Sequence, residues 1–307
     1  MSRRPTIIQM EPKRIVRKSP LRDALGDLGD VREPEDAEEP ILAPAVRAAL
    51  ATWLAEIRGT DELRAVGIRP RSTAVLHGPP GCGKTTLAHH LAARLGLPLV
   101  IVGSEMIFRA YLGEAEQRLA KLFDALAQSD RPTVLFMDEI DALGGHRDLN
   151  RRGGADNART SILTVLLRRI EEYQGYALAA TNRPDDLDPA LWRRFHMQIP
   201  IDLPGLDERL AILRRYGLPF AFADDDLDLL ASLTDGASPA LLRGLMEGVK
   251  RTLVIGPRCG VRTDDAAVVF ASITAALQPP PELRPPPLWS QPVALTALRW
   301  PPTLPTR

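Results

Sequence analysis

The stretch Gly78-Pro79-Pro80-Gly81-Cys82-Gly83-Lys84-Thr85, with Thr86 directly after it, fits the pattern G-x-x-x-x-G-K-[ST]. The apolar run before it, residues 73–77 (TAVLH), predicts a short strand. After it, leucines recur at every fourth position and predict a helix that ends at Gly96: Leu87, Leu91 and Leu95. The pattern therefore lies in a loop between a strand and the start of a helix, a context that separates a phosphate-binding loop from a chance match.

This context predicts what the loop from Gly78 to Thr86 binds. Backbone N–H groups at the start of a helix point at a bound anion, and glycines let the backbone approach phosphate oxygens closely. We expect Lys84 to reach the β- and γ-phosphates of a nucleotide, and the hydroxyl of Thr85 to hold Mg²⁺. The alternative is a Gly/Pro turn with a stray lysine.

Charge and composition limit the classes of partner. The chain carries 39 basic and 39 acidic residues, so no global field draws it to nucleic acid or to an anionic membrane, and we expect neither as a partner. No apolar stretch approaches the ~18 residues that a bilayer span needs, and the N-terminus lacks the apolar segment of a secretory signal. Cys82 and Cys259 offer neither a disulfide framework nor metal-ligand spacing. These features predict a cytoplasmic protein.

The chain divides into four segments. Residues 1–40 are highly charged with few large apolar residues, which predicts a disordered arm; a recruiting arm and, more weakly, a mitochondrial presequence are alternatives. Residues 41–204 alternate helices with short apolar strands. Residues 205–278 show helical patterns alone and predict a small helical lid domain. Residues 279–307 are rich in proline and predict a mostly unstructured tail, with a docking peptide as the alternative.

The predicted fold class is α/β, a parallel sheet with helices on both faces, followed by the helical lid. Strands are expected at residues 73–77, 98–102, 133–137, 176–180 and 197–201. Lid helices are expected at residues 206–216, 227–233, 239–254 and 264–277.

Two carboxylates follow one of the predicted strands. The apolar run 134–137 ends directly at Asp138 and Glu139. Ligands of open α/β sheets bind at the carboxyl ends of the strands. We expect Asp138 to hold Mg²⁺ or its water, and Glu139 to orient and deprotonate the water that attacks the γ-phosphate. A solvated turn is the alternative.

An uncharged amide closes another strand, in the run Ala179-Ala180-Thr181-Asn182-Arg183-Pro184. An amide at this edge can hydrogen-bond both the attacking water and the γ-phosphate without competing for the metal. Asn182 is therefore a candidate catalytic residue that senses the state of the nucleotide. Taken alone, Asn-Arg-Pro would also fit the start of a turn.

With the run 187–195 (LDPALWRRF) added, the chain resembles the AAA family of the AAA+ ATPases from about residue 41 to residue 278. The matching pieces occur in family order: GPPGCGKT, VLFMDEIDAL, ATNRPDDLDPAL and RRF. The resemblance implies an AAA+ type fold, with ATP and Mg²⁺ bound at the loop.

The resemblance also assigns a role to Arg193 and Arg194. In the family, arginines at this place reach across a subunit boundary to the γ-phosphate of the neighbour. A planar, permanently charged guanidinium suits the stabilisation of charge on a transferring phosphoryl group. Many members have a Pro-Gly insertion here, whereas Trp192 leads straight into Arg193. The division of labour between the two arginines therefore stays open.

The triplet Tyr111-Leu112-Gly113 matches a family loop that projects into a central pore and grips polypeptide. Aromatic side chains hold an unfolded strand through a large, non-specific contact area. The alternative is that Tyr111 is a core or interface aromatic residue. A second pore loop would fall around residues 144–147, where the match is loose.

Two further residues are hypotheses. Cys82 lies near a helix N-terminus and a lysine, which favours a lowered thiol pKa and an oxidisable side chain. Arg243 follows the run 236–240 (GASPA), which stands where relatives contact adenine and ribose, and is a candidate second sensor. An ordinary surface arginine is the alternative for Arg243.

Together, the motifs predict a Mg²⁺-dependent ATPase that works as a homo-oligomeric ring, expected to be a hexamer, and threads a protein substrate. A nucleic-acid remodeller and an ATP-state switch without threading are the alternatives. The chain carries no H-E-x-x-H metal motif, so any proteolysis would need a separate protease or adaptor.

Overall fold

The computed structural model describes residues 20–108, 114–144, 154–290, 295 and 297–304. Within these ranges, the strands are β1 (Asp30–Arg32), β2 (Thr73–His77), β3 (Leu99–Gly103), β4 (Val134–Asp138), β5 (Tyr176–Thr181) and β6 (Met197–Pro200). They form one sheet in the order β1-β3-β4-β5-β2-β6, in which β1 runs antiparallel to β3 and the other pairings are parallel. The predicted α/β class is confirmed, and each predicted strand is present to within one residue at either end.

The helices before the lid domain are α1 (Pro20–Leu25), α2 (Pro44–Arg58), α3 (Thr60–Ala65), α4 (Lys84–Leu95), α5 (Ser104–Phe108), α6 (Ala115–Ala127), α7 (Ile140–Gly144), α8 (Gly154–Glu172) and α9 (Pro189–Trp192). Those of the lid and tail are α10 (Leu206–Gly217), α11 (Asp224–Leu233), α12 (Pro239–Ile255), α13 (Ala266–Ala276) and α14 (Pro287–Ser290). None of the described helices is long and apolar enough to cross a membrane.

The strands are apolar because both faces of the sheet are covered. Successive side chains of a strand point to opposite faces, so Leu135 and Met137 enter one core while Val134 and Phe136 enter the other. The first core packs against α1, α6 and α8, and the second against α2 and α4. A third core holds the helical lid together.

The expectation of a disordered arm is wrong for residues 20–40. Leu25 and Val31, each 1% exposed, belong to the first core of the sheet, and β1 forms the edge strand beside β3. Arg118 of α6 ties the same segment down through a 2.8 Å hydrogen bond to Asp27. Its few apolar residues suffice because the segment completes an existing core and does not have to form one of its own. Residues 1–19 lie outside the described part of the chain.

The expectation of an unstructured tail is also wrong for the described residues after 279. Leu288, Leu295 and Leu298 are buried in the lid core. The indole N–H of Trp289 donates to the carbonyl of Leu277 at 2.6 Å, and that of Trp300 to the carbonyl of Thr263 at 2.8 Å. The described residues of the tail therefore pack on the lid. Burial of their leucine and tryptophan side chains stabilises this position, although the many prolines predicted a solvated segment.

Candidate nucleotide-binding site

The loop Gly78–Gly83 joins the carboxyl end of β2 to the start of α4, as the motif predicts. Gly78 has φ 148° and lies so close to β6 that an added Cβ would overlap the carbonyl oxygen of Ile201. Its N–H donates to the carbonyl of Thr181 at 3.3 Å. A residue with a side chain does not fit at this position, so the loop can stay tightly folded against the sheet edge.

Lys84, the first residue of α4, is only 8% exposed. Its Nζ donates to the carbonyls of Gly78 and Pro79 at 2.8 and 2.9 Å. Burial lowers the pKa of the lysine amino group, while Cys82, Asp138 and Asp141 oppose that shift. An ammonium group has three donors, so one of them remains free for a phosphate oxygen. A buried ammonium group beside the backbone of a glycine-rich loop is suited to bind a polyphosphate.

Thr85 and Asp138 come together at the same edge. The hydroxyl of Thr85 donates to Oδ2 of Asp138 at 3.0 Å, across the space between α4 and β4. A hydroxyl oxygen and a carboxylate oxygen at this separation are the kind of ligand that Mg²⁺ takes in nucleotide sites. The residues present therefore fit the expected metal.

Glu139 follows Asp138 with φ 53° and an exposed side chain. Its backbone N–H donates to Oδ1 of Asp138 at 3.1 Å. A left-handed conformation is costly for a residue with a side chain, and such strain concentrates at functional sites. The turn between β4 and α7 thus keeps one carboxylate on the Thr85 hydroxyl and presents the other to solvent.

Asn182 follows β5, which lies in the sheet between β4 and β2. Asn182 therefore stands at the edge between the two carboxylates and the phosphate-binding loop. Its side chain is exposed and makes no hydrogen bond with any described residue. With respect to the described part of the chain, both the amide N–H groups and the amide oxygen of Asn182 can bind a ligand.

Arg193 and Arg194 lie at the amino ends of the strands, opposite the carboxyl edge that holds the phosphate-binding loop. They precede β6, and the carbonyl of Arg194 accepts a 2.9 Å hydrogen bond from the hydroxyl of Thr73, the first residue of β2. The phosphate-binding loop follows the last residue of β2, one strand length or about 13 Å away. The guanidinium of Arg194 pairs with Glu171 at 2.7 Å, while Arg193 is exposed and makes no ion pair within the described ranges.

The lid touches the loop directly. Ala240, in the first turn of α12, donates its N–H to the carbonyl of Gly81 at 3.1 Å. The first N–H groups of a helix have no partner within the helix, so this contact satisfies one of them. An added Cβ on Gly81 would come within 2.9 Å of the Ser238 hydroxyl. The start of α12 therefore packs directly on the phosphate-binding loop.

The hypothesis of an activated thiol at Cys82 is wrong. The side chain is 8% exposed, and burial raises its pKa to about 11, although the charge of Lys84 opposes the shift. Desolvation outweighs the nearby cation because the thiolate would have no water around it. At neutral pH the group is a buried, protonated thiol.

Arg243 is bound on the surface of the lid. Its guanidinium pairs with Glu247 at 2.9 Å and with Glu38 at 3.9 Å, and stacks over the ring of Tyr216 at 5.2 Å. Among the described residues, Arg243 makes no hydrogen bond or ion pair with the phosphate-binding loop. This arrangement favours the ordinary surface arginine over the second sensor.

Two residues near the site did not stand out in the sequence. Thr181, the last residue of β5, donates its hydroxyl to Oδ1 of Asp141 at 2.6 Å. The sequence features that could have indicated this hydrogen bond are a threonine directly before Asn182 and a third acidic residue, Asp141, three positions after Asp138. The candidate pore residues Tyr111, Leu112 and Gly113, and residues 145–147, lie outside the described residues.

Comparison with known proteins places this geometry in a family. Residues 74–203 match the model of the ATPase family associated with various cellular activities (AAA). A proteasome-activating nucleotidase of Pyrococcus furiosus is 40% identical over 190 residues, which cover 59% of this chain and 46% of that protein. An uncharacterized AAA family ATPase of Sinorhizobium fredii, y4kL, is 36% identical over 223 residues, covering 71% of this chain and 66% of that protein.

The chain thus spans about half the length of the curated nucleotidases that it matches. Among solved structures, the AAA domain of FIGL-1 superposes with a TM-score of 0.67 over 86% of this chain and 90% of that one, at 23% identity. At that identity the likeness concerns the fold alone. The family model and the relatives agree, and the fold is consistent with them: through residues 74–203 the chain belongs to the ATPase family associated with various cellular activities (AAA).

Proposed function

We propose that this ATPase hydrolyses Mg²⁺-ATP in the pocket at the carboxyl edge of the sheet. The observation that carries the proposal is the convergence of Lys84, Thr85, Asp138, Glu139 and Asn182 at that edge, although they come from three separate strand ends. Backbone amides of the loop and the Lys84 ammonium bind the phosphates. Mg²⁺, held by Thr85 and Asp138, would neutralise charge on the phosphate oxygens.

In the chemical step, Glu139 accepts a proton from the attacking water, and the amide of Asn182 orients that water against the γ-phosphate. Both side chains are exposed at the sheet edge, and neither makes a side-chain hydrogen bond or ion pair to a described residue. Water can therefore enter between them. The turn at Glu139 and the loop at Asn182 fix the two groups on neighbouring strands, which reduces the entropy cost of aligning them.

We also propose that Arg193 and Arg194 complete the pocket of another subunit. Because they sit about a strand length from the loop of their own chain, they cannot serve the phosphates there. A head-to-tail arrangement of copies brings the amino edge of one sheet to the carboxyl edge of the next, and such contacts close into rings. The proposed assembly is a homo-oligomeric ring, taken to be a hexamer, and the family resemblance supports it.

The proposed work of the ring is to thread a protein substrate, gripped by Tyr111, Leu112 and Gly113. The family resemblance of that triplet supports this, as does the similarity to proteins named proteasome-activating nucleotidases. A separate protease or adaptor is the expected partner. We place the activity in the cytosol, because Cys82 and Cys259 are both free thiols.

Two variants test the hydrolysis. Glu139→Gln removes the base but leaves the phosphate and metal ligands, so it should bind ATP with wild-type affinity and lose turnover. Lys84→Ala should lose ATP binding. Steady-state phosphate release and titration with a fluorescent ATP analogue measure the two properties. Wild-type turnover by Glu139→Gln would reject the assignment of the base.

Threading is tested by photo-crosslinking. A photoreactive residue at position 111 of the Glu139→Gln protein, loaded with ATP, should capture client polypeptide. The same residue at Val66, which is 69% exposed on the α3 to β2 connection, should not. Equal capture at both positions, or unchanged client processing by Tyr111→Ala, would favour the switch without threading.

A further inference from the structure

Thr181 connects three parts of the candidate site. It is 1% exposed at the end of β5, and its hydroxyl donates to Oδ1 of Asp141 at 2.6 Å. The same hydroxyl oxygen accepts the backbone N–H of Arg183 at 2.9 Å, and the carbonyl of Thr181 accepts the N–H of Gly78 at 3.3 Å. One residue thus contacts α7, the loop that carries Asn182, and the phosphate-binding loop.

The hydrogen bond to Arg183 spans Asn182. A threonine hydroxyl that accepts the N–H two residues later forms a local turn and sets the backbone of the residue between them. Asn182 is that residue, and its own side chain has no described partner to fix it. The direction of its amide therefore depends on the turn that the Thr181 hydroxyl holds.

The hydrogen bond to Asp141 fixes the hydroxyl in turn. A hydroxyl has one proton, and the contact with the Asp141 carboxylate uses it, which leaves the lone pairs of the oxygen for the N–H of Arg183. Hydrogen bonds to an ionised acceptor are short and strong, and 2.6 Å fits that class. Asp141 lies in α7, which begins directly after Glu139. The relay thus links the element that carries Glu139 to the loop that carries Asn182.

We propose that Thr181 and Asp141 are positioning residues, which hold the amide of Asn182 in register with Glu139 for the attack of water on the γ-phosphate. The inference rests on the hydrolysis proposed above. Packing alone does not account for a threonine here, because a valine has the same shape and would fill the same buried site without a polar group to satisfy.

The test compares Thr181→Val, which removes the hydroxyl at constant shape, with Thr181→Ser, which keeps it. For Thr181→Val we expect kcat to fall about 10- to 100-fold, as when a supporting hydrogen bond behind an active-site group is lost. The Kd for a fluorescent ATP analogue should change less than about threefold, because phosphate and metal ligands stay in place. Thr181→Ser should retain most of the wild-type kcat.

A second background separates positioning from general damage. In an Asn182→Ala protein the amide is already absent, so Thr181→Val should lower kcat no further. Asp141→Ala removes the acceptor from a half-buried surface position and should reproduce the kcat loss, whereas Asp141→Asn keeps an acceptor oxygen and should reproduce little of it. The Asp141 pair keeps the inference testable if Thr181→Val does not fold.

Wild-type kcat in Thr181→Val would overturn the inference, and so would an equal loss in the Asn182→Ala background or a loss of ATP affinity that matches the loss of kcat. These results leave the proposed ATP hydrolysis intact. Absence of hydrolysis by the wild-type protein would instead reject the proposed function.

Discussion

Glu139 has φ 53°, and among the described residues it is the only one besides glycines with a positive φ. The left-handed conformation costs an L-residue about 1–2 kcal/mol. The turn that requires this conformation also separates two carboxylates. Asp138 accepts a hydrogen bond from Thr85, while Glu139 points to solvent, as the proposed base requires. Local stability therefore favours glycine at position 139, whereas the proposed activity requires the glutamate carboxylate.

This conflict predicts the order of stabilities of Glu139 variants. Glu139→Gly tolerates positive φ and should unfold at the same or a higher urea concentration than the wild type. Glu139→Val, which is β-branched, should lower the free energy of unfolding by about 1–2 kcal/mol relative to the glycine variant. Both should lose turnover. Equal stability of the glycine and valine variants would show that the backbone at residue 139 is not strained.

The two cysteines predict a contrast in reactivity. The pKa of Cys82 is raised to about 11 by burial, whereas Cys259 is exposed. Since the thiolate is the nucleophile, iodoacetamide at neutral pH should modify Cys259 first and Cys82 only on unfolding, as mass spectrometry of the two peptides can show. Modification of Cys82 at the rate of Cys259 in the folded protein would contradict the buried, protonated thiol.

The same pKa shift predicts how stability responds to alkaline pH. The folded-state pKa of Cys82 lies above the unfolded value, so the folded state holds this proton more tightly. The contribution is present in full below the unfolded pKa of about 9 and is lost as pH rises to about 11. Cys82→Ser should show a smaller loss of the free energy of unfolding between these pH values. An identical pH dependence for the wild type would assign the loss to other groups.

At the scale of elements, β1 and α1 belong to the sheet domain that follows them in the chain. Val31 pairs across from Val100 of β3, and Leu25 reaches the core beside α6. The segment also bridges toward the lid, because Glu38 pairs with Arg243 and Ile41 packs on the lid core. The segment 20–41 therefore has contacts with the sheet domain at its start and with the lid at its end.

A substitution pair checks this placement. Leu25→Ala should lower the free energy of unfolding by about 2–5 kcal/mol, as for a leucine removed from a packed core. Leu304→Ala, at a side chain that is 60% exposed, should change it by less than about 0.5 kcal/mol. Urea titrations of the two variants give both values. Equal effects would place residue 25 outside the core.

Most elements could be predicted because their signals are local. The strands are apolar runs ended by turn residues. The motif residues Lys84, Thr85, Asp138, Glu139 and Asn182 stand at or after the carboxyl ends of these strands, so the parallel topology brings them to one edge of the sheet. The order of residues 20–40 and of the described residues after 279 could not be predicted, because their apolar side chains are buried by contacts with residues distant in sequence. The Thr181 to Asp141 hydrogen bond is likewise a contact across 40 residues.

The pKa of Cys82 could not be predicted from the sequence either. Its neighbours along the chain indicated a lowered pKa, and the charge of Lys84 does act in that direction. Burial has the larger effect, and it arises because Cys82 belongs to the second core, whose other members come from strands and helices distant in sequence. Sequence proximity identified the nearby cation but not the desolvation.

For the whole molecule, the central feature is that the two halves of the proposed catalytic machinery lie on opposite edges of one sheet. The phosphate, metal and water residues follow the carboxyl ends of β2, β4 and β5, while Arg193 and Arg194 precede β6. In the proposed mechanism, a single chain binds nucleotide in its own pocket and takes its arginines from a second copy. Activity should therefore depend on association between copies.

Mixing two inactive variants measures this dependence most directly. Arg193→Ala/Arg194→Ala keeps the pocket and should lose about 10³-fold in kcat, while Glu139→Gln keeps the arginines and lacks the base. Random co-assembly in equal amounts should restore about a quarter of the sites, those in which a Glu139→Gln copy lends its arginines to an intact pocket. Phosphate release that recovers on mixing is the predicted result. A mixture as inactive as its separate components, despite co-assembly, would contradict a pocket shared between subunits.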